Sequence, residues 1–247
     1  MSLDTEIVVL PDGEAVAREA AQRFAELATS AVESHGRFSV ALSGGATPGR
    51  LYQLLAQAPY RAQVPWQETY LFWGDERCVP PEDPGSNYRR AEVALIRHVP
   101  IPPDHVCRIH GELEPAAASR AYTRTLIDFF CGPRPRFDLI FLGLGQDGHT
   151  ASLFPGSAAL QETERLAIPV EANYQGRPAH RVTLTLPAIN AARQVLFLVT
   201  GSGKAEAVRA VIHDLPSALP AQQVRPVAGK LTWLLDAAAA RLLEARG

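Results

Sequence analysis

Strand-sized apolar runs alternate with helical patterns along almost the whole chain, and this alternation restricts the fold more than any other feature. Residues 7–10, 38–42, 70–73, 137–142, 181–186, 195–200 and 231–235 read as strands. Residues 14–33, 48–57, 87–97, 115–130, 204–212 and 236–244 read as helices from apolar spacing and start signals. Phe24, Leu27, Ala28, Ala31 and Val32 form the apolar stripe of the first helix. Residues 137–142 are apolar on both faces, as a central parallel strand must be. The pattern predicts an α/β fold, with helices flanking a mostly parallel central sheet. No linker or internal repeat interrupts the 247 residues, so one domain is predicted, with the proline-rich stretch 215–226 as its weakest point.

Composition narrows the function classes. An apolar fraction of 47% and a charged fraction of 20% are those of a globular protein with a sizeable core. A net charge of −2 supplies no basic field for nucleic acid, so an anionic ligand needs a local cluster of donors. Cys78, Cys107 and Cys131 are odd in number and contain no C-x-x-C pair, which predicts idle thiols in a reducing compartment. The start of the chain has no basic stretch ahead of an apolar one, so no signal peptide is expected. The apolar runs are far too short to span a membrane. A cytoplasmic protein is the expectation, with no membrane and no nucleic-acid partner.

In parallel sheets ligands sit beyond the carboxyl ends of the strands. Four polar, glycine-bearing segments fall there, after Leu42, Trp73, Leu142 and Thr200, and are expected to share one crevice. Ser43, Gly44, Gly45 and Thr47 open a helix whose free amides and dipole suit an anion, with Thr47 the predicted N-cap and Pro48 the first helical residue. A rival reading makes Ser43 a nucleophile on a strand–helix elbow, but Ala41 stands where that motif has its first glycine. Arg77 can clamp a phosphate or a carbonyl oxygen, with Asp75 orienting it or a substrate hydroxyl; the plainer reading is a surface ion pair. Ser86 and Asn87 can bind substrate or merely cap the next helix.

Gly143, Gly145 and Gly148 match G-x-G-x-x-G, yet Pro155 forbids the long helix that a dinucleotide fingerprint must open. More telling is His149 beside Asp147 in that loop, because a histidine held by a carboxylate can act as a general base on water. Gly201-Ser-Gly-Lys204 lacks the first glycine and the Ser/Thr of a Walker loop, although Lys204 can still hold an anion, as can Arg181. His105 and His110 lie five apart around a short predicted strand, and nothing nearby completes a metal site. His35, His98, His180 and His213 read as ordinary surface residues.

Taken together, Ser-Gly-Gly-Ala-Thr-Pro48, Trp-Gly-Asp-Glu-Arg-Cys-Val-Pro80 with Ser-Asn87, Gly-Leu-Gly-Gln-Asp-Gly-His-Thr-Ala-Ser-Leu-Phe-Pro155, and Arg-Val-Thr-Leu184 with Gly-Ser-Gly-Lys204 resemble the 6-phosphogluconolactonase family. The resemblance runs from the N-terminal region to the closing Leu-Thr-Trp-Leu-Leu-Asp segment. It implies the fold shared with glucosamine-6-phosphate deaminases, no organic cofactor, and hydrolysis of 6-phospho-D-glucono-1,5-lactone in the pentose phosphate pathway. It also implies that His149 is the base, that Asp75 and Arg77 line the reacting end, and that Ser43–Thr47, Arg181 and Lys204 handle the sugar phosphate. Two alternatives accompany it. An amino-sugar-phosphate isomerase/deaminase would carry a Phe-Asn-Glu-Pro run where this chain has Ala151-Ser-Leu-Phe-Pro155. A non-catalytic sugar-phosphate regulator would be expected to add a DNA-binding module, for which the length leaves no room.

Overall fold

The computed structural model describes residues 4–132, 134–174, 176–213 and 219–243. Its strands are β1 (Asp4–Leu10), β2 (Phe38–Leu42), β3 (Thr69–Trp73), β4 (Asp75–Arg77), β5 (Leu139–Leu142), β6 (Ala167–Glu171), β7 (His180–Leu184), β8 (Gln194–Val199) and β9 (Lys230–Asp236). The helices are α1 (Gly13–His35), α2 (Ala46–Leu55), α3 (Tyr60–Gln63), α4 (Asn87–Ala94), α5 (Pro115–Phe130), α6 (Leu186–Asn190), α7 (Ala205–Ile212) and α8 (Ala237–Ala240). Six strands form a parallel sheet in the order β1-β9-β8-β5-β2-β3. The other three form a small antiparallel sheet, β4-β7-β6.

Alternation along each strand delivers two apolar faces to two layers of helices. On one face Phe24 of α1 meets Phe38 edge-on at 5.2 Å and stacks on Phe141 at 6.2 Å. On the other, Phe129 and Phe130 of α5 pack on Phe72 and Phe137. Alanines 17, 20, 21, 25 and 28 of α1 are buried, and their small side chains let the helix lie close to the sheet. Asp12 caps this helix by accepting the Ala15 N–H, and Gly36 ends it at φ 80°.

Gly74 joins the two sheets. Its N–H donates to the Leu42 carbonyl in the parallel sheet, and its own carbonyl accepts from Leu184 N–H in the antiparallel one. The chain therefore leaves β3 directly into β4 and carries Asp75 and Arg77 to the carboxyl end of the main sheet. The strand order reverses between β2 and β5, so the crevice opens where their carboxyl ends diverge.

Several local expectations are corrected. Helix α2 begins at Ala46 with Gly45 as its N-cap, and the Thr47 hydroxyl bonds Thr200 Oγ1 at 2.7 Å instead of capping. Ser86, not Asn87, caps α4 by accepting the Arg89 N–H, and α4 stops at Ala94 before a separate 3-10 turn at Ile96–His98. Strand β5 begins at Leu139 rather than residue 137, β7 ends at Leu184, and residues 105–110 contribute only a single bridge from Val106 to Leu71. Helix α8 is four residues long, and Glu244 lies outside the described residues. The same holds for 215–218 of the proline-rich stretch, whose residues Pro220–Gln223 form a 3-10 turn. The antiparallel strands β4 and β6 have no counterpart among the predicted strands. His35 is exposed, as expected, and its Nε2 lies 3.0 Å from the buried Asp138 carboxylate. The three cysteines are free; burial raises the thiols of Cys78 and Cys107 to about 11. No helix among the described residues is long and apolar enough to cross a membrane.

Candidate active site

A cavity of about 280 Å³ opens over the carboxyl ends of β2, β5 and β8, with β4 and β7 as its side wall. Ser43, Gly44, Gly45, Thr47, Asp75, Arg77, Asn87, Gly145, His149, Arg181 and Lys204 all line it. Ser86 and Asp147 do not line it and act from behind, Ser86 as the α4 cap and Asp147 on His149.

The loop after β5 is shaped around His149. Gly148 adopts φ 82°, and no α-helix opens from the loop, which leads only to a short 3-10 turn at Ala158–Gln161, so its three glycines do not form a dinucleotide turn. A Cβ on Gly145 would stand 2.0 Å from His149 Nδ1, so only glycine lets the backbone pass this close to the imidazole. Nδ1 lies 2.6 Å from Asp147 Oδ1. With Asp147 ionised, that nitrogen carries the proton and Nε2 is left as the acceptor. Phe154 stacks on the ring at 4.4 Å and Tyr174 meets it edge-on at 4.6 Å. Burial between these walls lowers the histidine below its ordinary 6.5, outweighing the opposing pull of Asp147. For Asp147, burial pushes upward but the bonds to His149 prevail and hold the carboxyl below its usual range.

Asp75 and Arg77 both face the cavity, two residues apart on β4. They form no ion pair with each other among the described residues, and both are buried. The Asp75 carboxylate accepts from Ser152 Oγ at 2.6 Å and from Asn87 Nδ2 at 3.2 Å. Arg77 donates to the Gly85 carbonyl. Arg181 stands directly opposite Arg77 in the β4–β7 ladder, donates from Nε to the Pro178 carbonyl, and lies over the Phe154 ring. Arg77 Nε and Arg181 Nη2 are buried without a hydrogen-bond partner. Two desolvated guanidiniums with spare donors are costly unless an anion completes them. Burial also lowers the Lys204 ammonium, against the pull of Asp147.

The first amides of α2 have no side-chain cap and remain available to a ligand. Ser43 is not set up as a nucleophile: its hydroxyl donates to the Gly44 carbonyl, and its backbone is pinned at both N–H and C=O by Tyr52 Oη. Sequence reasoning missed Tyr174 and Arg177, which line the cavity from the segment between β6 and β7, and Ser152, which holds Asp75. No local motif marks the first two; Ser152 stood inside the Ala151–Pro155 segment without a role. Among the described residues, no group of three or more His, Cys, Asp or Glu side chains could hold a metal ion.

Comparison with known proteins then decides the lineage. The family model described as glucosamine-6-phosphate isomerases/6-phosphogluconolactonase matches residues 11–233. The chain belongs to this family. A rat (Rattus norvegicus) protein named 6-phosphogluconolactonase is 42% identical over 91% of this chain and 88% of its own length. The solved 6-phosphogluconolactonase from Trypanosoma cruzi superposes with a TM-score of 0.88 at 31% identity, covering 99% of each chain. A monomeric glucosamine-6-phosphate deaminase superposes at 0.81, covering 96% of this chain and 99% of its own, but at 22% identity it speaks for the fold alone. The matched residues span all four glycine-bearing loops of this member of the family.

Proposed function

We propose that this chain is a 6-phosphogluconolactonase, hydrolysing 6-phospho-D-glucono-1,5-lactone to 6-phospho-D-gluconate in the cytoplasm as a step of the pentose phosphate pathway. The reading rests on one observation above all: His149, held through Nδ1 by Asp147, turns toward a cavity that also holds buried cations with spare donors.

Nε2 of neutral His149 takes a proton from water as its oxygen attacks the lactone carbonyl carbon. The negative charge on the carbonyl oxygen is met by Arg77 at the reacting end, a step of the kind that fixed donors accelerate most. The ring C–O bond then breaks, and the imidazolium returns its proton to the departing ring oxygen. Asp75, anchored by Ser152 and Asn87, orients a sugar hydroxyl. Lys204, Arg181 and the open amides of α2 around Ser43–Thr47 take the phosphate, so that remote binding fixes the carbonyl for attack. No covalent nucleophile, metal or organic cofactor is part of this scheme, and the whole chain works as one lactonase domain.

The test is a base-release or coupled assay on fresh 6-phosphogluconolactone, corrected for spontaneous hydrolysis and run beside glucosamine 6-phosphate. Lactone turnover without ammonia release is the expected result. His149→Ala should lower kcat on the order of 10²–10⁴-fold while product binding survives. Wild-type turnover by that variant would sink the reading, and ammonia release from the amino sugar would replace it with the deaminase.

A further inference from the structure

Glu76 sits between the two functional residues of β4 but turns away from the cavity, and it is 2% exposed. A buried carboxylate needs compensation, and this one receives four donors. Arg77 N–H and Asn87 N–H reach Oε1 at 2.8 and 2.7 Å; Ser86 Oγ and Tyr88 N–H reach Oε2 at 2.9 and 2.7 Å. Three of the four come from the cap and first turn of α4, where the helix dipole adds to the attraction. The fourth is the backbone of Arg77 itself.

The consequence reaches the cavity through Asn87. With its backbone N–H fixed on Glu76, the Asn87 side chain donates to both the carbonyl and the carboxylate of Asp75. Gly44 closes over it so tightly that an added Cβ would stand 2.0 Å from Asn87 Oδ1. That oxygen has no partner and is buried at the cavity wall. We infer that Glu76 is a positioning residue for the lactonase reaction: its carboxylate locks the start of α4 onto β4, and so sets where Asn87 and Asp75 present their polar atoms to the sugar.

The inference rests on the lactonase reading. Its rival is that Glu76 merely stabilises the helix start. Glu76→Gln keeps the shape but turns an NH₂ toward at least one backbone N–H, whichever way the amide faces. The displaced Asn87 should lower kcat/KM on the order of tenfold to a hundredfold in the folded protein. Asn87→Ala supplies the discriminating comparison. If Glu76 works through Asn87, the double variant loses no more than about twofold beyond Asn87→Ala alone, whereas independent roles would multiply. A second readout needs no turnover: the Asn87 side-chain amide signals in a ¹H–¹⁵N spectrum, identified by their loss in Asn87→Ala, should move in Glu76→Gln. Multiplying losses, or unmoved Asn87 signals, would overturn the inference. If Glu76→Gln does not fold, Ser86→Ala removes one donor from the same carboxylate and is judged by the same two criteria. Should the unsubstituted chain fail to hydrolyse the lactone, the functional reading falls, and the amide signals alone decide the role of Glu76.

Discussion

A histidine acquires a base's properties from what surrounds it, and for His149 three neighbours do so in opposite directions. Phe154 and Tyr174 desolvate the imidazole and disfavour its protonated form, while Asp147 favours it; desolvation prevails. The sign for activity follows directly. A base must be unprotonated to work, and a lowered value keeps it unprotonated further into acid. The acidic limb of kcat/KM should therefore fall below pH 6.5, with a plateau above it. Asp147→Asn removes the group that pulls upward, so the limb should move to still lower pH while kcat drops, because the tautomer that exposes Nε2 loses its anchor. A pH–rate series on both proteins, each corrected for spontaneous hydrolysis, reads the two limbs. A limb that moves to higher pH in Asp147→Asn would show that another group governs it.

At the scale of elements, legibility differs between the two sheets. The parallel strands were readable because burial on both faces demands uninterrupted apolar runs, as in Leu139–Leu142. In the antiparallel sheet only β7 was readable, within the predicted run 181–186, because β4 and β6 break the pattern that periodicity relies on. β4 is Asp-Glu-Arg, three charged residues that are nonetheless all buried, and β6 carries Pro169 at its centre. The candidate residues Asp75, Arg77 and Arg181 were visible as types, yet nothing local told that Arg77 and Arg181 stand opposite each other. That pairing comes from a ladder between segments a hundred residues apart along the chain. Two adjacent guanidiniums invite the question of which one meets phosphate. If Arg181 and Lys204 hold it, Arg181→Ala and Lys204→Ala should each raise KM on the order of tenfold or more with kcat nearly kept, since both remove binding shared by ground and transition states. Initial-rate kinetics separate the cases. A fall in kcat at constant KM in Arg181→Ala would exchange its role with that of Arg77.

On the scale of the whole molecule, the two ends of the chain complete one sheet. β9 inserts between β1 and β8, and among the described residues β1 has no other strand partner, its register running from Asp4 opposite Lys230 to Leu10 opposite Asp236. The most distant segments in sequence thus form adjacent strands, an arrangement whose closure entropy is met only when the rest has folded. β9 also buries Leu231, Trp233, Leu234 and Leu235, with Trp233 stacked on Phe197 at 3.9 Å. Asp236 at its end accepts the Gly201 N–H through both oxygens and caps α8, fixing the loop that leads to Lys204. Losing one such large buried side chain costs about 2–5 kcal/mol, and whole domains are stable by only about 5–15 kcal/mol. Ending the chain at Gly229 should therefore abolish cooperative unfolding rather than weaken it, and lactone turnover should vanish with it. Urea titration followed by Trp66 and Trp73 fluorescence checks this, because both indoles stay in the shortened chain. A sharp transition near the full-length midpoint would show that β1 and β8 hold together without the strand between them, and that the sheet's order does not set the order of its assembly.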